Sequence, residues 1–410
     1  MTLHSATVAS AFACAPALPR EGERLAEHFR AVRARTVALA VPLSPEDCCA
    51  QSMPDASPVK WHLAHTTWFF ETFILERHEP GFRPFHAMYR MLFNSYYNGI
   101  GDKHPRPLRG MLTRPALDEV LAYRADVDAR MLALLAAGDD VALARLTELG
   151  LQHEQQHQEL IVTDVLHMLS MNPLRPAYDP RWPAPEAAGQ NDDWVDVDGG
   201  LVAIGHTGDG FCFDNELPRH RQWLEPYRLA ARLVSNRDLL RFIGEGGYRE
   251  PAYWLAEGWD WIRANGIDRP LYWQRDGDRW TEFTARGTVP LDADGPALHL
   301  SYYEADAVAR WAGARLPTEA EWEHAAASAG ARLRGLGGVC WQWTSSSYAP
   351  YPGFRIADGA IGEYNGKFMV NQYVLRGGSL ATPAGHARLS YRNFFPASAR
   401  WQFTGVRLAR

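Results

Sequence analysis

Cysteine is scarce in this 410-residue chain and follows no pattern. Cys14, Cys48, Cys49, Cys212 and Cys340 are an odd number without the spacing of a zinc site or a disulfide framework. That fits a reducing cytoplasm and indicates no cysteine-based chemistry. A basic excess is also missing: the formal net charge is -6, and arginine is used almost to the exclusion of lysine. Nucleic acid is therefore a poor partner. No run of about 18 apolar residues exists to cross a bilayer, so a membrane is equally poor. No Lys or Arg precedes Arg20, so the charged start of a secretory signal is absent and residues 1–19 read as a loose arm. There is no strict repeat and no low-complexity tract.

What the chain does have falls into two parts with different grammar. From about Arg20 to Asn172 apolar residues recur at helical spacing, and four segments stand out, at 20–42, 56–77, 115–137 and 141–171. Four such helices predict a bundle. Between the second and third lies a connection of about 36 residues, rich in aromatics, Gly, Pro and Arg, and a loop this long within a compact domain is more often functional than idle. The proline-rich stretch 173–193 reads as a linker. Beyond it, over 194–410, short apolar runs alternate with turn residues and most of the fifteen tryptophans appear. One clear helix interrupts this half, opened by a capping box of Thr318 and Glu321. The fold class expected is α+β.

"HEQQH", His153 to His157, places two imidazoles one turn apart on one helical face. Leu146, Leu149, His153, Gln156, His157, Leu160 and Asp164 follow the 3-4 rhythm of a core-facing stripe. Two buried histidines without a partner are costly to desolvate, and a metal explains them better than packing does. "KWHLAHTTWFFETF" offers His62 or His65 as a third ligand, and periodicity does not choose between them. Three neutral imidazoles suit ferrous iron with open positions, or zinc with one water. A zinc protease would use Glu154 as general base, but the helix runs on without the glycine turn of the longer protease pattern.

The segments "WHLAHTTWFFE", "FNSYYN", "HEQQHQEL", "WAGARLPTEAEWE", "WQWTSSSYAPYPGF", "VLRGGS" and "YRNFFP" together resemble the iron-dependent sulfoxide synthases of ergothioneine biosynthesis. Those join a DinB-like helical bundle, expected here over 20–172, to a formylglycine-generating-enzyme-type domain, expected over 194–410. The resemblance implies Fe(2+) on His65, His153 and His157, with Gln156 orienting the imidazole substrate. It implies that tyrosines of the aromatic loop sit by the iron, with Tyr97 as catalytic acid and Tyr96 as its support. Arg106 and Arg109 form a fork for a substrate carboxylate. Asn393, Phe394 and Phe395 stand where aromatic rings meet a trimethylammonium group.

The family branch that uses γ-glutamylcysteine carries Asn-Trp-Asp at this place, so Phe395 favours free L-cysteine. The expected substrates are hercynine, L-cysteine and O2. Sister reactions are γ-glutamylcysteine as donor, histidine as acceptor, or a selenium donor. Formylglycine generation is excluded, because no cysteine pair follows Arg376-Gly-Gly-Ser379. From other classes, a zinc-dependent hydrolase and a lectin-like binding protein without turnover complete the alternatives.

Overall fold

The computed structural model describes residues 22–137, 140–189, 192–356 and 362–410. The arm expected over 1–19 lies outside the described residues. Helices α1 (Gly22–Ala40), α2 (Val59–Phe70), α3 (Leu117–Ala136) and α4 (Val141–Ser170) form the bundle, close to the spans that periodicity predicts. Helix α4 begins where the Asp140 carboxylate accepts the backbone N–H groups of Ala142 and Leu143, satisfying donors that a helix leaves open at its start. At 1.5 Å per residue it runs for about 45 Å. All of α2 is buried, as expected for a helix without a polar face. Beyond Phe70 it widens into a π-turn, Glu71–Leu75, before a last short turn at Glu76–His78. Periodicity alone does not reveal that widening. It accompanies a buried Glu71, whose carboxylate accepts the Tyr123 hydroxyl (2.6 Å) and the Phe85 N–H (2.8 Å).

The aromatic connection folds back over α2. Three side chains of α2 hold it by donating to its carbonyls: Trp61 to Leu92, His65 to Phe93 and Trp68 to Arg90. Among its described residues the proline-rich stretch has no helix or strand, yet it is pinned. Its buried Tyr178 donates its hydroxyl to the carbonyl of Leu39 and its N–H to that of Ala285, tying α1 to the second half.

Among its described residues that second half contains four small sheets. Strands β1 (Trp194–Val197) and β4 (Tyr227–Ala230) pair, as do β2 (Gly200–Ile204) and β3 (His220–Leu224). A meander follows, with β5 (Trp273–Asp276), β6 (Arg279–Thr284) and β7 (Gly287–Pro290). The largest sheet has the order β10-β9-β8-β11, from Asn393–Phe395, Tyr373–Arg376, Trp341–Ser347 and Thr404–Gly405. The capping box read at Thr318 and Glu321 is present, at 3.1 and 2.7 Å, at the start of α8 (Glu319–Ala329); before it come α5 (Asn236–Gly244), α6 (Ala256–Ala264) and α7 (Tyr302–Trp311).

With so little regular structure, buried arginines fix the loops. Arg392 makes two parallel bonds to Glu319 (2.8 and 2.9 Å), Arg376 pairs with Glu323, and Arg388 with Glu216. Such planar, two-pronged pairs carry directional information that apolar packing lacks. After Arg376 the chain turns through Gly377 and Gly378 at φ of +106° and +77°. A side chain at Gly377 would meet the carbonyl oxygen of Leu336 at 2.7 Å, so the turn requires glycine.

Candidate metal centre

Helices α2 and α4 cross so that His65, His153 and His157 each bring one ring nitrogen to a common point, all within 4.8 Å of one another. All three rings are buried. Trp61 stacks on one face of His65 (centroids 4.5 Å, 13° between planes) and Trp68 on the other (5.4 Å, 16°), which holds the ring plane. The His65 Nδ1–H donates to the Phe93 carbonyl at 2.6 Å, leaving Nε2 as the available lone pair. His62, the other candidate ligand, has both ring nitrogens engaged within the protein. Its Nε2 lies 3.1 Å from the Asp164 carboxylate and donates to it, so its Nδ1 accepts from His157 Nδ1 at 2.8 Å. His157 is thereby held in the tautomer whose Nε2 lone pair is free, the arrangement that orients metal-binding imidazoles. Burial pushes the pKa of all three histidines down, His153 to about 4, and keeps them neutral.

Glu154 points the other way. It is fully buried on the opposite side of α4, where Arg33 and Arg124 each donate to it at 2.8 Å. Burial alone would raise its pKa, but the two guanidinium groups bring it down to about 2. Arg124 also donates to the Leu63 carbonyl of α2, so this cluster joins all four helices. A carboxylate so saturated and so placed is no general base for a metal-bound water, and the protease reading of "HEQQH" loses its base.

A cavity of about 280 Å³ lies beside the three histidines. Tyr96, Tyr97, Arg106, Arg109, Gln156 and the strand Asn393–Phe395 all line it. A larger chamber of about 610 Å³ shares Tyr97, His153 and Gln156 with it. Tyr97 is buried against Trp68 and Phe73, whereas the Tyr96 hydroxyl accepts from Arg106 at 2.9 Å. Arg109 is buried, lies flat on Trp61 at 3.4 Å and donates to the hydroxyls of Ser57 (2.9 Å) and Ser95 (3.2 Å). Among the described residues no carboxylate is in ion-pair contact with it, and burial pushes its pKa down to about 9. A buried cation without a counter-ion is costly, and an incoming carboxylate relieves it. Phe394 stacks on Tyr348 at 4.0 Å.

Sequence reasoning missed the partners that α4 finds in the second half. Glu159 accepts from Trp341 (2.7 Å), Ser379 (2.6 Å) and Thr382 (2.7 Å), and Gln156 donates to the Tyr391 hydroxyl at 2.7 Å. The available signal was three polar residues, Gln152, Gln156 and Glu159, at core spacing on a buried helix.

Residues 28–169 match the family model of the DinB superfamily. Residues 180–335 and 331–410 match that of the sulfatase-modifying factor enzyme 1-like domain. The hercynine oxygenase of Mycobacterium tuberculosis is 33% identical over 94% of this chain and 98% of its own length. The chain belongs to the hercynine oxygenase family. The hercynine oxygenase of Mycolicibacterium smegmatis is 31% identical over the same shares. The formylglycine-generating enzyme of Streptomyces coelicolor is 30% identical over only 36% of this chain and 49% of its own. Membership in the hercynine oxygenase family makes the chain an enzyme of the oxidoreductase class, with small-molecule substrates and a DinB-like bundle ahead of a formylglycine-generating-enzyme-type domain. Among the described residues no helix is long and apolar enough to cross a membrane.

Proposed function

We propose that this enzyme joins the sulfur of L-cysteine to C2 of hercynine and oxidises the same sulfur to the sulfoxide, with iron(II) on His65, His153 and His157. The balance is one hercynine, one thiol and one O2 giving one sulfoxide and one water. Dioxygen takes four electrons, two as the C–H and S–H bonds are replaced by C–S and two from sulfur. The observation that carries the reading is the convergence of three neutral, oriented imidazoles with no carboxylate among them. That donor set fits a divalent iron that keeps positions open, and bound iron supplies the redox chemistry that dioxygen requires.

The chain's own groups do the rest. Gln156 receives the imidazole N–H of hercynine, Phe394 and Phe395 face its trimethylammonium group, and Arg109 takes a substrate carboxylate. Tyr97 holds the proton delivered during oxidation, and Arg106 with Tyr96 supports the loop. Phe395 replaces a carboxylate that a dipeptide donor would use, which favours free cysteine.

The test is anaerobic reconstitution with Fe(2+), addition of hercynine, L-cysteine and O2, and mass spectrometry of the products. Hercynyl-cysteine sulfoxide that requires all three supports the proposal. Product with γ-glutamylcysteine alone, with histidine alone or with a selenium donor alone reassigns the substrate, and no coupling with any donor overturns the reaction.

A further inference from the structure

One chain of hydrogen bonds runs from the bundle into the second half and back. The Glu148 carboxylate accepts from Gln152 Nε2 at 2.8 Å. The carbonyl end of Gln152 therefore faces His386, whose Nδ1 lies 2.7 Å away and donates. Burial and the neighbouring Arg388 guanidinium hold the His386 pKa well below its ordinary value, so the ring is neutral and its Nε2 carries only a lone pair. The Tyr391 hydroxyl, 3.3 Å from that nitrogen, donates to it and turns its oxygen to Gln156 Nε2 at 2.7 Å. Each bond dictates the direction of the next, beginning from a carboxylate that only accepts. The last amide has no freedom to flip. Its Oε1 is buried at the wall shared by both cavities, without a hydrogen-bond partner among the described residues.

We propose that Tyr391, His386, Gln152 and Glu148 are positioning residues that hold the Gln156 amide with its oxygen toward the substrate, so that the site selects an imidazole presenting an N–H there. An amide free to flip would offer an N–H donor half the time, and a donor facing a donor repels. This inference rests on the function proposed above, because it takes hercynine as the ligand that Gln156 meets. The selected feature is the protonated ring nitrogen, so an acceptor methylated at that nitrogen is rejected while one altered elsewhere is tolerated.

The test uses iron-loaded full-length enzyme. Hercynine binding is measured by calorimetry, KM is measured separately for hercynine and for cysteine, and iron content is measured for each variant. In Tyr391→Phe the dissociation constant and KM for hercynine rise about tenfold, the worth of one buried hydrogen bond. Cysteine KM and iron content stay within twofold. His386→Leu behaves alike, and His386→Gln, whose amide both donates and accepts, recovers most of the loss. Hercynine affinity within twofold of wild type in both Tyr391→Phe and His386→Leu overturns the relay. So does equal weakening of both substrates, the mark of general damage. A wild-type enzyme that binds no hercynine overturns the function proposed above, and the relay as a hercynine selector with it.

Discussion

Two faces of one helix carry opposite kinds of polar chemistry. On one side of α4, Glu154 is enclosed by Arg33 and Arg124 and its charge is fully answered within the bundle. On the other, His153 and His157 bring ring nitrogens within 4.8 Å of that of His65, and the amide oxygen of Gln156 is buried at the cavity wall. The letters His-Glu-x-x-His are the same as in a hydrolase, but here the glutamate belongs to the scaffold. A motif names residue types, and the packing of neighbouring helices decides which of them meet substrate.

The contrast breaks most sharply at the histidines. His153→Ala or His157→Ala should abolish metal retention and oxygen consumption while the bundle stays folded, as read by elemental analysis beside circular dichroism. Full metal content in either variant would make the ligand assignment wrong. Next comes Glu154→Ala, which strands the buried Arg124 guanidinium, leaves Arg33 with Asp128 alone and should cost about 3–5 kcal/mol in urea unfolding. The molecules that remain folded should keep their iron and turnover. Normal stability with turnover lost would return Glu154 to the chemical face.

Tyr97→Phe should leave iron bound and lower C–S coupling by about 100-fold or more, the usual worth of a positioned proton donor, with cysteine oxidised without coupling. Unchanged product would move the role to Tyr96. His62→Phe severs the chain from Asp164 to His157 and should weaken metal affinity by about 10–100-fold, measured by competition with a chelator. An unaltered affinity would show that packing alone orients His157. The smallest effect is expected at the opposite wall, where Phe395→Asp should shift donor preference from cysteine toward γ-glutamylcysteine by a few fold in competition assays. No shift would detach Phe395 from donor choice.

Much of the bundle was legible because a helix writes its buried face locally, every three or four residues, and the two histidines of α4 inherit that spacing. The π-turn after Phe70 was not, since a one-residue widening leaves no mark in periodicity. The second half was legible as α+β and at the capping box of Thr318 and Glu321, but its arrangement depends on pairs such as Arg392 with Glu319, 73 positions apart. At the site, spacing identified the histidine pair of α4, and the resemblance pointed to Tyr96, Tyr97, Gln156 and Asn393–Phe395, all of which line the cavity. The partner of Gln156 stayed hidden because Tyr391 is 235 positions away and sits in no metal-binding pattern. The choice of His65 over His62 came from resemblance alone; in the structure both nitrogens of His62 are engaged, by Asp164 and His157, whereas a backbone carbonyl engages only the Nδ1 of His65.

Glu159 has a consequence for ancestry. It stands on the metal-bearing helix, yet the three donors around it all come from the other half. Exchanging either half for one without the matching groups would bury a carboxylate without its donors, or leave three donors facing nothing. Recombination between relatives is therefore tolerated only where the helix and its distant loops travel together. Two modules that match separate family models are thereby held to change together at this carboxylate.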